Sequence, residues 1–163
     1  MSIILRIDRH LIIFSKSDPP HQAYLGNAII TLSQNGLYFT AGTAGDATIT
    51  NNSGSMRFDY TGTTAGNSDI TNNGALYFFT GATAGNSTIK NYGTMNVFDD
   101  STAGTATITN YGNLVFHNYY STPGDATVTN YGTIDLGRGP KTIGALTLMS
   151  GSISGTGTLT LLD

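Results

Sequence analysis

Thr102-Ala103-Gly104-Thr105-Ala106-Thr107-Ile108-Thr109-Asn110-Tyr111-Gly112-Asn113-Leu114-Val115-Phe116 is one copy of a unit that returns every 19 to 21 residues along the chain. The same frame runs from Thr43 to Phe58, Thr64 to Phe78, Thr83 to Val97, Thr122 to Leu136 and, less cleanly, Thr142 to Ile153. A degenerate earlier copy spans Leu25 to Phe39. Within a unit the alternation has period two: Ala106, Ile108 and Asn110 face one way, Thr107 and Thr109 the other. That is the pattern of a strand with one buried face.

Working outward, each unit opens on a small or apolar residue followed by Gly: Leu25, Ala44, Ala65, Ala84, Ala103, Pro123 and Ile143. Four residues after that Gly stands an aliphatic: Ile30, Ile49, Ile70, Ile89, Ile108, Val128 and Leu148. Asn follows two residues later in five copies, at Asn51, Asn72, Asn91, Asn110 and Asn130. A second Gly (Gly54, Gly74, Gly93, Gly112, Gly132, Gly151) then precedes an apolar-x-apolar pair: Met56/Phe58, Leu76/Phe78, Met95/Val97, Leu114/Phe116 and Ile134/Leu136. This glycine is expected to supply a backbone angle that branched residues resist.

One such unit cannot bury its apolar face alone, so stacking is required. The period is too short for a propeller blade, and the Leu/Asn spacing of a leucine-rich repeat is absent. The fold class expected is all-β: a single-stranded, right-handed parallel β-helix, a β-solenoid with about 20 residues per coil. Roughly seven coils, with strands about 4.8 Å apart, would make a rod on the order of 30 Å long. Stacked in register, the Asn amides would bond one another and the bend carbonyls, and Tyr92, Tyr111 and Tyr131 would stack.

Composition agrees. The chain has 163 residues with 21 Gly, and only 10% of them are charged, against about 25% in average globular chains. All ten acids are Asp, a residue of turns rather than helices. A net charge of −3 offers no basic field, so no nucleic-acid partner is expected. Without Cys there is no disulfide framework; no cofactor and no metal site are expected. Residues 1–22 do not share the repeat and read as a non-repeat N-terminal segment or cap, with residues 23–163 forming the array. Arg6, Asp8, Arg9 and His10 break the apolar runs of this first segment, so it matches neither a signal peptide nor a membrane span.

The run Ala103 to Phe116, with near copies at Ala44 to Phe58, Ala65 to Phe78 and Ala84 to Val97, resembles the repeats in passenger domains of bacterial autotransporters, including pertactin-like adhesins. The tail Ile143-Gly144-Ala145-Leu146 with Gly151 to Leu159 resembles segments that follow such arrays. The resemblance covers about residues 25 to 163. It implies a secreted protein on the bacterial cell surface, a non-enzymatic stalk or adhesin whose only membrane link is a downstream β-barrel. On this view the chain is expected to be a fragment of a longer passenger. A host or neighbouring-cell glycan or protein is the partner implied, and self-association through open coil ends, near Leu161, is a further expectation.

Chemistry is expected where the units vary most, in loops such as Phe98 to Asp100, His117 to Tyr120 and Arg138 to Lys141, which stacking brings to one lateral edge. The candidate binding residues there are Asp99, Asp100, His117, Tyr119 and Tyr120. Asp99-Asp100 with His117 one coil later would be the acid and base of the alternative reading, a polysaccharide-binding or polysaccharide-degrading β-helix. Asp-Asp-Ser-Thr is also ordinary turn chemistry. Phe79 and Phe98 are expected to turn inward as corner-filling core residues, whereas Tyr119 and Tyr120 are expected to be exposed. A remote alternative, an ice-binding solenoid, comes from the outward pairs Thr48/Thr50, Thr107/Thr109 and Thr127/Thr129, which Asp69 and Lys90 interrupt.

Overall fold

The computed structural model describes residues 4–7, 11–13, 23–34 and 36–162. These form an all-β solenoid of about seven turns with parallel strands and no helix. Each coil lays one strand on a nine-stranded sheet and one on an eight-stranded sheet. A third edge is held by single parallel bridges linking Thr43, Thr64, Thr83, Thr102 and Thr122 in turn. Of the expected N-terminal segment, residues 1–3, 8–10 and 14–22 lie outside the described residues. Ile4–Ile7 and Leu11–Ile13 add in parallel to Ile29–Leu32 and Gly36–Phe39.

Register follows the repeat. Ile30, Ile49, Ile70, Ile89, Ile108 and Val128 stack on the large sheet, all essentially buried. On the other sheet Leu37, Met56, Leu76, Met95, Leu114 and Ile134 form a second interior column. Beside it run Phe39, Phe58, Phe78, Val97 and Phe116, where the first three rings stack at 4.6 and 5.1 Å between centroids. The core is therefore a set of ladders, each side chain packed on its own equivalents one coil away.

The seventh rung departs from expectation. Val128 pairs with Leu146, not Leu148, and Leu148 falls opposite Asn130. Asp125 and Ala126 lie between Gly124 and Thr127, but Gly144 alone separates Ile143 from Ala145, so the pairing shifts there. Bulges of this kind change the face a residue serves.

The two glycines of a unit are required for different reasons. Gly45, Gly66, Gly85, Gly104 and Gly124, each after Thr-Ala or Thr-Pro, sit at φ of +64 to +67°, where Cβ-bearing residues are strained. Their amides donate to the hydroxyl of the Thr two residues earlier, at 2.9 to 3.1 Å. The second glycines do not have positive φ, contrary to the reason expected above. A Cβ on Gly93, Gly112 or Gly132 would instead fall onto the carbonyl oxygen of the preceding coil's glycine. Backbone proximity between coils, not backbone angle, fixes that position.

The asparagines behave as the repeat implies. All five are fully buried, and each Nδ2 donates to the Oδ1 of the next at 2.7 to 2.8 Å, from Asn51 through Asn130. Each also donates to the carbonyl at the next glycine, as Asn110 does to Gly112 at 3.1 Å. Asn51 Oδ1, at the N-terminal end of the ladder, has no partner, because its neighbour in the preceding coil is Leu32.

Candidate functional site on the lateral face

Strand parity decides what the eight-stranded sheet shows to solvent. Leu76 and Phe78 point in, so Tyr77 and Phe79 point out; Val97 points in, so Phe98 points out. Phe79 and Phe98 are thus not corner-filling core residues, contrary to expectation. They are half-buried on the outer face and stack at 4.6 Å, with Tyr77 against Phe79 at 5.6 Å. His117 continues the column, its ring 3.8 Å from that of Phe98 and nearly parallel. At the other end the Arg57 guanidinium lies 4.2 Å over Phe79, while its Nε donates to Asp59 at 2.6 Å.

In such a column each ring face is covered by the next, so solvent meets ring edges. A sugar that stacks on an aromatic face finds little here. Tyr92, Tyr111 and Tyr131 form a second, expected column with 4.8 Å spacings, and the same limit applies to it. Tyr119 and Tyr120 are different. They meet edge to face at 5.3 Å and are 57% and 70% exposed, as expected of a wet loop. Their faces are not consumed by a stack.

Asp99 and Asp100 occupy an exposed turn, Asp99 with φ of 50°. The preceding coils bend the same way at Tyr60 and Thr80, a left-handed corner that costs a branched residue such as Thr more than Asp. Asp99 Oδ1 accepts a hydrogen bond from Asn118 Nδ2 at 3.0 Å. His117 Nε2 bonds Asn96 Oδ1 at 2.8 Å and is joined by hydrogen bond or ion pair to neither aspartate. Stacking has placed all five candidates in adjacent loops, but it has not made an acid and base pair of them. Among the described residues no group of three or more His, Asp or Glu side chains is placed to hold a metal ion.

Loss of hydration lowers the pKa of His117 below its ordinary 6.5, with the Asp135 carboxylate opposing the shift. A depressed histidine stabilises the fold fully above its unfolded pKa, and that contribution is lost as pH falls through the folded value. Thermal stability should therefore fall as pH drops below the ordinary histidine value. His117→Phe, which keeps a ring on Phe98, should flatten that part of the profile; an unchanged slope in the variant would assign the drop to other groups.

One residue that the sequence placed in an outer loop is internal. Lys141 is fully buried, and its Nζ donates to the carbonyls of Asn118 at 2.6 Å, Arg138 at 2.9 Å and Tyr119 at 3.3 Å. The signal was available: Lys141 lies two residues before Ile143, the place that Ser101 and Ser121 take before Ala103 and Pro123, and both serines are buried.

On the large sheet's outer face, Thr48, Thr107 and Thr127 share one column and Thr50, Thr109 and Thr129 the next. Asp69 interrupts the first column and Lys90 the second, and the two line a shallow depression with Thr71 and Thr88. The fold and site together define a β-solenoid with a clustered lateral loop face. No family model, curated protein or solved structure matches the chain.

Proposed function

We propose that the chain is a non-enzymatic stalk or adhesive segment of a surface-displayed, autotransporter-like protein. It acts by mechanical extension and by weak contacts repeated along a regular face. The observation that carries this reading is the mutual use of the outward groups. Rings cover rings, Arg57 is held by Asp59 and Phe79, and Asn118 by Asp99, leaving, among the described residues, turn-length loops and little that resembles a walled cleft. The second reading, polysaccharide binding, is favoured by Tyr119 and Tyr120, whose rings are exposed and unstacked.

The test displays the protein at high density on beads and offers glycan arrays and cell surfaces, with soluble monomer as comparison. Dense display should bind at least about a hundredfold more tightly than the monomer, and Tyr119→Ala/Tyr120→Ala should weaken glycan capture if the second reading holds. Turnover of a polysaccharide, abolished by joint substitution of Asp99, Asp100 and His117, would overturn the stalk reading.

A further inference from the structure

Three groups on three successive coils converge beneath the Tyr119 loop. The first is the Lys141 amine, enclosed in the solenoid and bonded only to neutral carbonyls, the shortest of which belongs to Asn118. Burial without a carboxylate partner lowers its pKa from 10.5, which favours the uncharged, nucleophilic form. The second is the side-chain carboxamide of Asn118, whose Oδ1 is buried and has no hydrogen-bond partner. The third is Asp99, whose carboxylate holds Asn118 Nδ2 at 3.0 Å. The Asn118 backbone is itself fixed, since Ser121 Oγ donates to its carbonyl at 3.0 Å. A structural lysine would need neither the orphaned carboxamide oxygen nor the carboxylate behind it.

We propose that Lys141 and Asn118 form an intramolecular amide cross-link, with Asp99 as the proton carrier. The lone pair of Nζ attacks Asn118 Cγ as the amine exchanges its carbonyl bonds for the neighbouring carboxamide of the same residue. Asp99 takes the proton lost from nitrogen and delivers it to Nδ2. The Cγ–Nδ2 bond breaks, ammonia leaves, and the Nζ–Cγ amide remains with the Asp99 carboxylate regenerated. Amine and carboxamide become a secondary amide and ammonia, so no oxidant or co-reactant is involved. Lys141 is enclosed and Asn118 half-buried, and stacking of their adjacent coils in fixed register supplies the effective concentration. The product joins residues 23 apart in sequence and staples one coil to the next near the C-terminal end of the array, where Leu148, Met149 and Leu161 are exposed.

The experiment is intact-mass measurement of the folded full chain after incubation at mildly alkaline pH, followed by proteolytic mapping. The expected result is a mass lower by one ammonia and a branched fragment containing both Lys141 and Asn118. Lys141→Arg and Asn118→Ala should show the full mass, and Asp99→Asn should slow conversion about a hundredfold or more. Full mass in the unaltered protein, with the two residues in separate linear peptides, would overturn the proposal. So would ammonia loss confined to a single peptide, as from a succinimide at Asn73-Gly74.

Discussion

Ile108→Asp should abolish the folded middle of the rod. Ile108 is 1% exposed and packs between Ile89 and Val128 in the interior column. An aspartate there loses the aliphatic burial, worth about 2 to 5 kcal/mol, and adds an unpaired carboxylate in an apolar ladder at a cost of several kcal/mol more. Together these rival the about 5 to 15 kcal/mol that holds a typical domain. Because coils are stabilised mainly by their neighbours, the damage should spread beyond one rung. Thr109→Asp, one residue on and facing out, should change stability by no more than about 0.5 kcal/mol. Circular dichroism and melting of the pair check this. A variant that kept both its strand signal and its melting temperature would show that the register is not the one described.

The second large effect belongs to the amide ladder. Asn91 Nδ2 donates to Asn110 Oδ1 at 2.8 Å, to the Asn113 carbonyl at 2.9 Å and to that of Gly93 at 3.3 Å, while its own Oδ1 accepts from Asn72. Asn91→Ala leaves Asn110 Oδ1 without a donor inside the rod and removes the middle of a chain of mutually polarised amides. The expected loss is on the order of 3 kcal/mol or more. Asn113→Ala, at an exposed position of the neighbouring strand, should be nearly neutral. Urea unfolding of both variants gives the comparison, and equal midpoints would mean that the ladder contributes little.

The interior was legible because its constraints are periodic. A column of aliphatics, amides or rings repeats in the sequence whenever it repeats in space, and Ile108, Asn110 and Tyr111 could be placed from spacing alone. What escaped reading was local or compensatory. Leu148 was misplaced because a shifted pairing between Gly124 and Thr127 leaves no mark in residue type. Phe79 and Phe98 were expected inside on burial preference, although alternation from Phe78 and Val97 puts them outside; stacking on one another and on His117 replaces the cover that the core would have given. Lys141 read as a loop residue because an ammonium is rarely enclosed, and three carbonyl acceptors on two separate turns cannot be inferred from a short run of sequence. At the site, neighbourhood was legible and pairing was not: stacking predicts that Asp99 and His117 share an edge, but not that Asn118 and Asn96 are their partners.

The amide ladder also bears on fibre growth, which an open amide stack would promote. In cross-β aggregates an identical stack of amides is open at both ends and recruits each incoming chain through the same hydrogen bonds. Here the stack runs only from Asn51 to Asn130 and meets an aliphatic at either end, Leu32 below and Leu148 above. Asn51 Oδ1 is therefore an acceptor that no further amide can reach. The templating chemistry is enclosed within the molecule and terminated by leucine, so its strength serves cohesion between coils without advertising a seed.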